Sequence, residues 1–372
     1  MKALHLLDTV NRGGAEMQVL DICRNAYRIS LDVTLVAAGG GILENDFQGS
    51  GAEYIRLDRK LPVDIYLASQ LRKIIRERRI RIVHGYQAVD ALHLYLATRG
   101  LRDVRRVLSF QGFIPGRKNR TIAKLMARRM DANISVSKSL LKYLSEAVGI
   151  RHFANFHVIY NGADEARLQP TGYSIKAELR LPHDAMLGAM VANFVSDPTK
   201  DQLTICRALP AVVREFPAFH FLFVGRVSVG AEDKMADCLN FCIENGISQN
   251  VHFLGARADV NDILSELDVF VFSSRQEGFP VALSEAMLAG VPVIVSDIEP
   301  LREAVREGEL GELFETGNAE MLSEKMNEVV GNPERRAEHA DRARRYATQH
   351  FSIEAHLHGL KKLYESLVSN SS

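Results

Sequence analysis

No stretch of the sequence approaches the ~20 consecutive apolar residues that a membrane-spanning helix needs. Cysteine is scarce, four among 372 residues. Cys23, Cys206, Cys238 and Cys242 form no CxxC pair and have no neighbouring histidine, so neither a zinc site nor a disulfide framework is indicated. Cys238 and Cys242 stand one helical turn apart and read as ordinary core or helix-surface thiols. Glycine (26) and proline (11) are too few for a collagen-like or disordered chain. The opening run Met1-Lys2-Ala3-Leu4-His5-Leu6-Leu7 stops at Asp8, without the longer apolar core and cleavage site of a signal peptide. It reads as a buried first strand, and the cytoplasm is the expected compartment. Net charge is missing too, because 46 Lys+Arg balance 46 Asp+Glu, which at first argues against an anionic partner. The balance hides an asymmetry: residues 1–170 carry 27 basic and 16 acidic side chains, and residues 171–372 carry 19 and 30. The halves therefore have charges of opposite sign.

What is present is a soluble-type composition, 47% apolar and 25% charged, in a chain long enough for two domains of ordinary size. Short β-branched runs alternate with amphipathic stretches, the pattern of parallel sheets wrapped by helices. Strands are expected over 3–7, 32–37, 53–57, 80–84, 105–110, 132–136 and 157–160, then over 186–192, 219–224, 251–254, 268–272 and 292–296. Helices are expected over 14–27, 65–79, 201–215, 232–245, 280–289 and 319–330. The alternation begins afresh near residue 186, after a polar stretch with Asn161-Gly162-Ala163-Asp164 and Pro170-Thr171-Gly172. The fold class is thus α/β, with two doubly wound domains over 1–168 and 169–350. A last amphipathic segment, 351–372, reads as a helix ending in a Ser/Asn tail. In such sheets ligands bind outside the carboxyl ends of the strands, here facing a cleft between domains.

The most informative stretch is SSRQEGFPVALSEAMLAGVPVIVSD, residues 273–297. A strand ends at Ser273-Ser274, a loop carries Glu277 and Gly278, and Pro280 suits the first turn of a helix that stops at Gly290. The N–H groups of Phe279 and Val281, on either side of Pro280, then lie at a helix start, where anions bind. Glu277 and Glu285 can accept hydrogen bonds from sugar hydroxyls. Taken alone, two glutamates near a helix start are also what the helix dipole favours at any surface.

The pair is not alone, and the stretch resembles the Glu-x7-Glu region of glycosyltransferase family 4, retaining enzymes of the GT-B fold with two Rossmann-like domains. The resemblance extends to Thr9-Val10-Asn11-Arg12-Gly13-Gly14-Ala15-Glu16, to Ile134-Ser135-Val136-Ser137-Lys138-Ser139, to Val158-Ile159-Tyr160-Asn161-Gly162-Ala163-Asp164 and to Val251-His252-Phe253-Leu254-Gly255. It implies that Glu277 holds hydroxyls of a donor sugar, that Glu285 holds the nucleotide ribose, and that the amides of Gly278, Phe279 and Val281 beside Pro280 meet the sugar and diphosphate. Gly13 and Gly14 would lie at the cleft floor beside the donor. The family usually has an Arg and, five residues on, a Lys for the diphosphate. Here Asn193 takes the Arg position and Lys200 follows at a spacing of seven, with Arg226 as a further candidate counter-charge.

A second departure concerns the residue after strand 105–110, a sugar-contacting His in many family members and Gln111 here. Gln cannot titrate near neutral pH, which excludes general acid–base work at this position. Gly112 and His84, the latter at a strand end, are candidate acceptor-side residues. Arg120, Lys124 and Arg128 form one stripe of a helix and Ile122, Leu125 and Met126 another, so the basic half is a candidate for contact with an anionic membrane surface; nucleic acid is not expected, for want of aromatic interleaving. The resemblance implies a nucleotide diphosphate sugar as donor substrate, UDP-linked more readily than GDP-linked. The acceptor would be a saccharide or lipid-linked saccharide, with no cofactor or metal, at the cytoplasmic membrane face. A non-catalytic nucleotide-sugar-binding module, or a partner subunit of another transferase, is the alternative that Gln111 and Asn193 leave open.

Overall fold

The computed structural model describes residues 1–369 and divides them into two compact units. The first comprises Met1–Gly162 with the terminal helix Ile353–Ser369, and the second Ala163–Ser352. The divides thus fall at 162/163 and 352/353, against the expected 168/169 and 350/351. The chain leaves the first unit and re-enters it at one place, where Ala163 N donates to Phe351 O at 2.9 Å and Ala163 bridges Ser352. The expected Ser/Asn tail at 370–372 lies outside the described residues.

The first unit holds seven parallel strands, β1 (Lys2–Leu7), β2 (Asp32–Ala37), β3 (Glu53–Arg56), β4 (Ile82–Gly85), β5 (Arg105–Phe110), β6 (Ala132–Ser135) and β7 (Phe156–Val158), in the order β3-β2-β1-β4-β5-β6-β7. Residues 3–7 of β1 are all buried, the run of a strand covered by helices on both faces. One core joins Val19 and Ile22 of helix Gly14–Asn25 to Leu35, Phe47, Leu357, Leu360 and Tyr364. The apolar stripe of the terminal helix is therefore spent on this unit.

The second unit has six parallel strands, β8 (Met186–Val191), β9 (Phe219–Val224), β10 (Val251–Gly255), β11 (Val269–Phe272), β12 (Val293–Ser296) and β13 (Glu312–Phe314), in the order β10-β9-β8-β11-β12-β13. β13 is too short to show a period of its own. Gly188 in β8 is required by packing, since a Cβ there would lie 2.7 Å from the Phe219 ring. Cys206, Cys238 and Cys242 are buried free thiols. Among the described residues no helix is long and apolar enough to cross a membrane.

In both sheets the chain runs outward one way from the first strand and then crosses to its other side, at β1/β4 and at β8/β11. Two strand ends part at each such switch point, and the residues that follow them are left to form a site.

Candidate functional site

In the second unit the loops after β8 and β11 are laced together. Asp201 N donates to Ser273 O at 3.1 Å, Arg275 N donates to Thr199 O at 2.7 Å, and Lys200 bridges Ser274 in antiparallel fashion. This short ladder brings the Lys200 ammonium into an ion pair with Glu277 Oε1, and both side chains are largely covered. The ammonium also lies 4.7 Å from the Phe272 ring centroid, a cation–π placement that steadies it. Ser274 Oγ lies 2.6 Å from Glu277 Oε1 and 2.7 Å from Thr199 O, and donates to one of them at a time. Sequence reasoning passed over Ser274, whose only signal is a hydroxyl in a buried position directly after a strand.

Glu277 precedes helix Val281–Leu288, where Pro280 is the N-cap and lies outside the first turn in which it was expected. No side chain caps this helix start, so its first turn keeps amide donors for a ligand. Gly290 takes the left-handed conformation (φ +76°) expected of a helix stop. Glu285 sits on the same helix, buried, with its Oε1 2.6 Å from Arg167 Nη2. Arg167 lies just beyond the Asn-Gly-Ala-Asp stretch, far from Glu285 in sequence, and nothing near it announces the pair. Asn193 Oδ1 accepts from Arg226 N at 3.1 Å. It therefore ties the end of β8 to the end of β9 and sets where Arg226 starts. The Arg226 side chain is exposed and forms no ion pair among the described residues.

In the first unit Gly13 caps helix Gly14–Asn25 with extended backbone and no side-chain cap, and a Cβ there would meet Glu16 Oε2 at 2.5 Å. Beyond β5, Gln111 Oε1 accepts from Asn161 Nδ2 at 3.1 Å. Nearby in the chain, Gly162 N donates to Gln18 Oε1 at 2.7 Å. Asn161 Oδ1 and Gln18 Nε2 are buried with no hydrogen-bond partner, so this polar group is unsaturated. Gly112 faces open space.

His84 does not join this group. It is buried, with Nδ1 2.6 Å from Tyr364 Oη and Nε2 2.7 Å from Ser109 Oγ. Both ring nitrogens are spent within the fold, and burial holds its pKa well below the usual histidine value, so the expectation of an acceptor contact from His84 is corrected. The ring belongs to a buried cluster with His5, Tyr86 and Tyr364, in which His5 Nδ1 lies 2.8 Å from Tyr86 Oη.

The expected basic stripe is corrected as well. Arg120 turns inward to donate to Ile114 O at 3.0 Å and Ala147 O at 3.4 Å, leaving Lys124 and Arg128 exposed. Among the described residues no group of three His, Cys, Asp or Glu side chains is placed to hold a metal ion.

Comparison with known proteins bears on the same elements. Residues 12–167 match the family profile described as Glycosyltransferase Family 4, and residues 174–349 match that described as Glycosyl transferases group 1. Over 144 residues, 39% of this chain and 38% of the relative, the sequence is 36% identical to the N,N'-diacetylbacillosaminyl-diphospho-undecaprenol alpha-1,3-N-acetylgalactosaminyltransferase of Campylobacter jejuni. Over 308 residues, 80% of this chain and 82% of the relative, it is 23% identical to the capsular polysaccharide biosynthesis glycosyltransferase CapH of Staphylococcus aureus. Among solved structures, Alr3699/HepE of Anabaena, in complex with UDP and glucose, is similar in fold with a TM-score of 0.85 at 20% identity, over 98% of this chain and all of that one.

Proposed function

The chain belongs to glycosyltransferase family 4 and is a glycosyltransferase of the GT-B fold, and on that premise we propose that it transfers a sugar, with retention, from a nucleotide diphosphate sugar to a hydroxyl of a saccharide or lipid-linked acceptor. UDP sugars are the favoured donors. The relatives named for a diphospho-undecaprenol acceptor and for a capsular polysaccharide support an acceptor in cell-surface polysaccharide or glycolipid assembly, at the cytoplasmic face of a membrane.

The observation that carries the proposal is the Lys200–Glu277 pair, set beside an uncapped helix start. Together with Arg167 and Glu285 it makes a neutral set of charges, to which a diphosphate adds about two negative ones. The Lys200 ammonium, the amides at the start of helix Val281–Leu288 and the exposed Arg226 guanidinium meet that charge without a metal. Once Lys200 turns to phosphate, Glu277 is released to accept from sugar hydroxyls, while Glu285, oriented by Arg167, accepts from the ribose.

In the transfer step the bond between the anomeric carbon and the leaving phosphate oxygen breaks as the acceptor oxygen bonds on the same face. The acceptor proton passes to the departing diphosphate, so no titrating residue is needed at Gln111. Gln111 supplies a hydrogen bond to the sugar, with its carbonyl held by Asn161.

A thermal-stability screen with UDP, GDP and their sugars in the presence of EDTA tests the proposal. A bound nucleotide raises the midpoint, most for the true donor, and Lys200→Ala abolishes the rise. No rise with any nucleotide would favour a partner subunit. A rise without turnover would favour a binding module.

A further inference from the structure

Between β3 and helix Ile65–Arg78 the chain presents four large apolar side chains to solvent: Leu61, Val63, Ile65 and Tyr66 are 61, 48, 77 and 71% exposed. This is not slack in a loose loop, because the turn is clamped from within. Asp64 is 5% exposed and accepts from Lys60 N at 2.9 Å and Leu67 N at 3.0 Å. Its own N–H donates to His93 Nε2 at 2.9 Å, and His93 Nδ1 donates to Val89 O at 2.8 Å. Leu67, Ala68 and Leu71 of the same helix face the core. The fold therefore holds Leu61, Val63, Ile65 and Tyr66 outward, at the cost of leaving their apolar surface in water.

The patch sits at the carboxyl end of the first sheet. Arg59 pairs with Asp8 at 2.6 Å, a few residues before Gly13, and Arg59 N donates to Ala38 O at 2.8 Å. Ile42, 63% exposed, stands beyond the carboxyl end of the neighbouring strand β2. Cations border the patch. Lys60 adjoins it in sequence and is exposed, while exposed Arg76 and Lys73, the latter 3.9 Å from the exposed Glu77 carboxylate, fall on the outer face of the helix with Tyr66 and Ser69.

We propose that residues 61–66 insert into an anionic lipid leaflet, with Lys60, Lys73 and Arg76 on its headgroups. The apolar side chains enter the boundary between headgroups and acyl chains, and Tyr66 suits that boundary because its ring is apolar and its hydroxyl polar. A second copy of this chain is a poorer occupant, since a two-fold contact would set this basic collar against itself. The inference rests on the lipid-linked acceptor reading for its purpose. Its test reads vesicle binding and not transfer, so the two fail separately.

The chain contains no tryptophan, so Tyr66→Trp in the full-length protein gives a single fluorescent reporter. With vesicles of phosphatidylglycerol and phosphatidylcholine its emission moves to shorter wavelength and is quenched by bromine on the acyl chains. Vesicles of phosphatidylcholine alone give a weaker response. A Leu61→Ser/Ile65→Ser variant, with both changes at solvent-exposed positions, keeps the wild-type thermal midpoint and its stabilisation by UDP, while its partition onto anionic vesicles falls about tenfold or more. The proposal is overturned if the emission of the Tyr66→Trp reporter is unmoved by vesicles, if the double variant binds them as wild type does, or if the variant's only change is loss of self-association.

Discussion

Lys200 and Glu277, 77 positions apart, share one ion pair in the second unit, with Ser274 Oγ 2.6 Å from the same carboxylate oxygen. The cation proposed for the diphosphate and the carboxylate proposed for the sugar thus neutralise each other until a donor separates them. Glu277→Gln should therefore act in two directions. It frees Lys200, so free UDP binds up to about fivefold more tightly, the equivalent of a partly covered pair worth ~1 kcal/mol. It also removes the acceptor for sugar hydroxyls, so transfer falls. Titration calorimetry with UDP and with the intact donor separates the two effects.

Arg167 and Glu285 make the second pair, at 2.6 Å and largely covered. Arg167→Ala leaves a buried carboxylate without its partner, and the second unit should lose about 1–3 kcal/mol in urea unfolding. Glu285→Gln should lose less. In a double-mutant cycle the two should couple, and both should weaken nucleotide binding.

The buried histidines of the first unit make its stability fall in acid. Burial lowers the His5 pKa to about 3 and that of His356 to about 4, while in the unfolded chain both titrate near 6.5. The neutral rings thus contribute fully above pH 6.5, and that contribution is lost as pH falls toward the folded values. By pH 5 each histidine has lost about 2 kcal/mol of its contribution. His356 Nδ1 donates to Tyr160 O at 2.7 Å, a bond that an amide can replace. His356→Asn should therefore show an acid loss smaller than wild type by that amount, in denaturant titrations at pH 7 and pH 5.

Two glycines should differ in what a methyl group costs them. A Cβ on Gly41 would lie 2.3 Å from Val10 C and 2.4 Å from Asn11 N, backbone atoms that cannot give way without moving the loop leading to Gly13. Gly41→Ala should cost about 2 kcal/mol or more. Gly112→Ala meets nothing within 4 Å and should leave stability unchanged in the same melts.

The strands expected from β-branched runs all appear, and the central ones stand out because a strand covered on both faces must be apolar nearly throughout. β13 escaped notice at three residues, and helix Pro333–His350 because it is polar over most of its length. Glu277, Lys200 and the helix start could be picked out because each sits in a compact motif. Arg167 and Asn161 could not, since their roles depend on partners 118 and 50 positions away. His84 misled for the same reason: a strand-end histidine looks available until Tyr364, 280 residues on, is seen to occupy it.

Donor activation by Lys200 and Glu277 is read from the initial rate of UDP release from UDP sugars in EDTA. Wild type, Lys200→Met and Glu277→Gln are to be compared at equal folded concentration. Wild type should release UDP without metal, and each variant should be slower by about a hundredfold or more. Release by either variant at the wild-type rate would contradict donor activation by this pair.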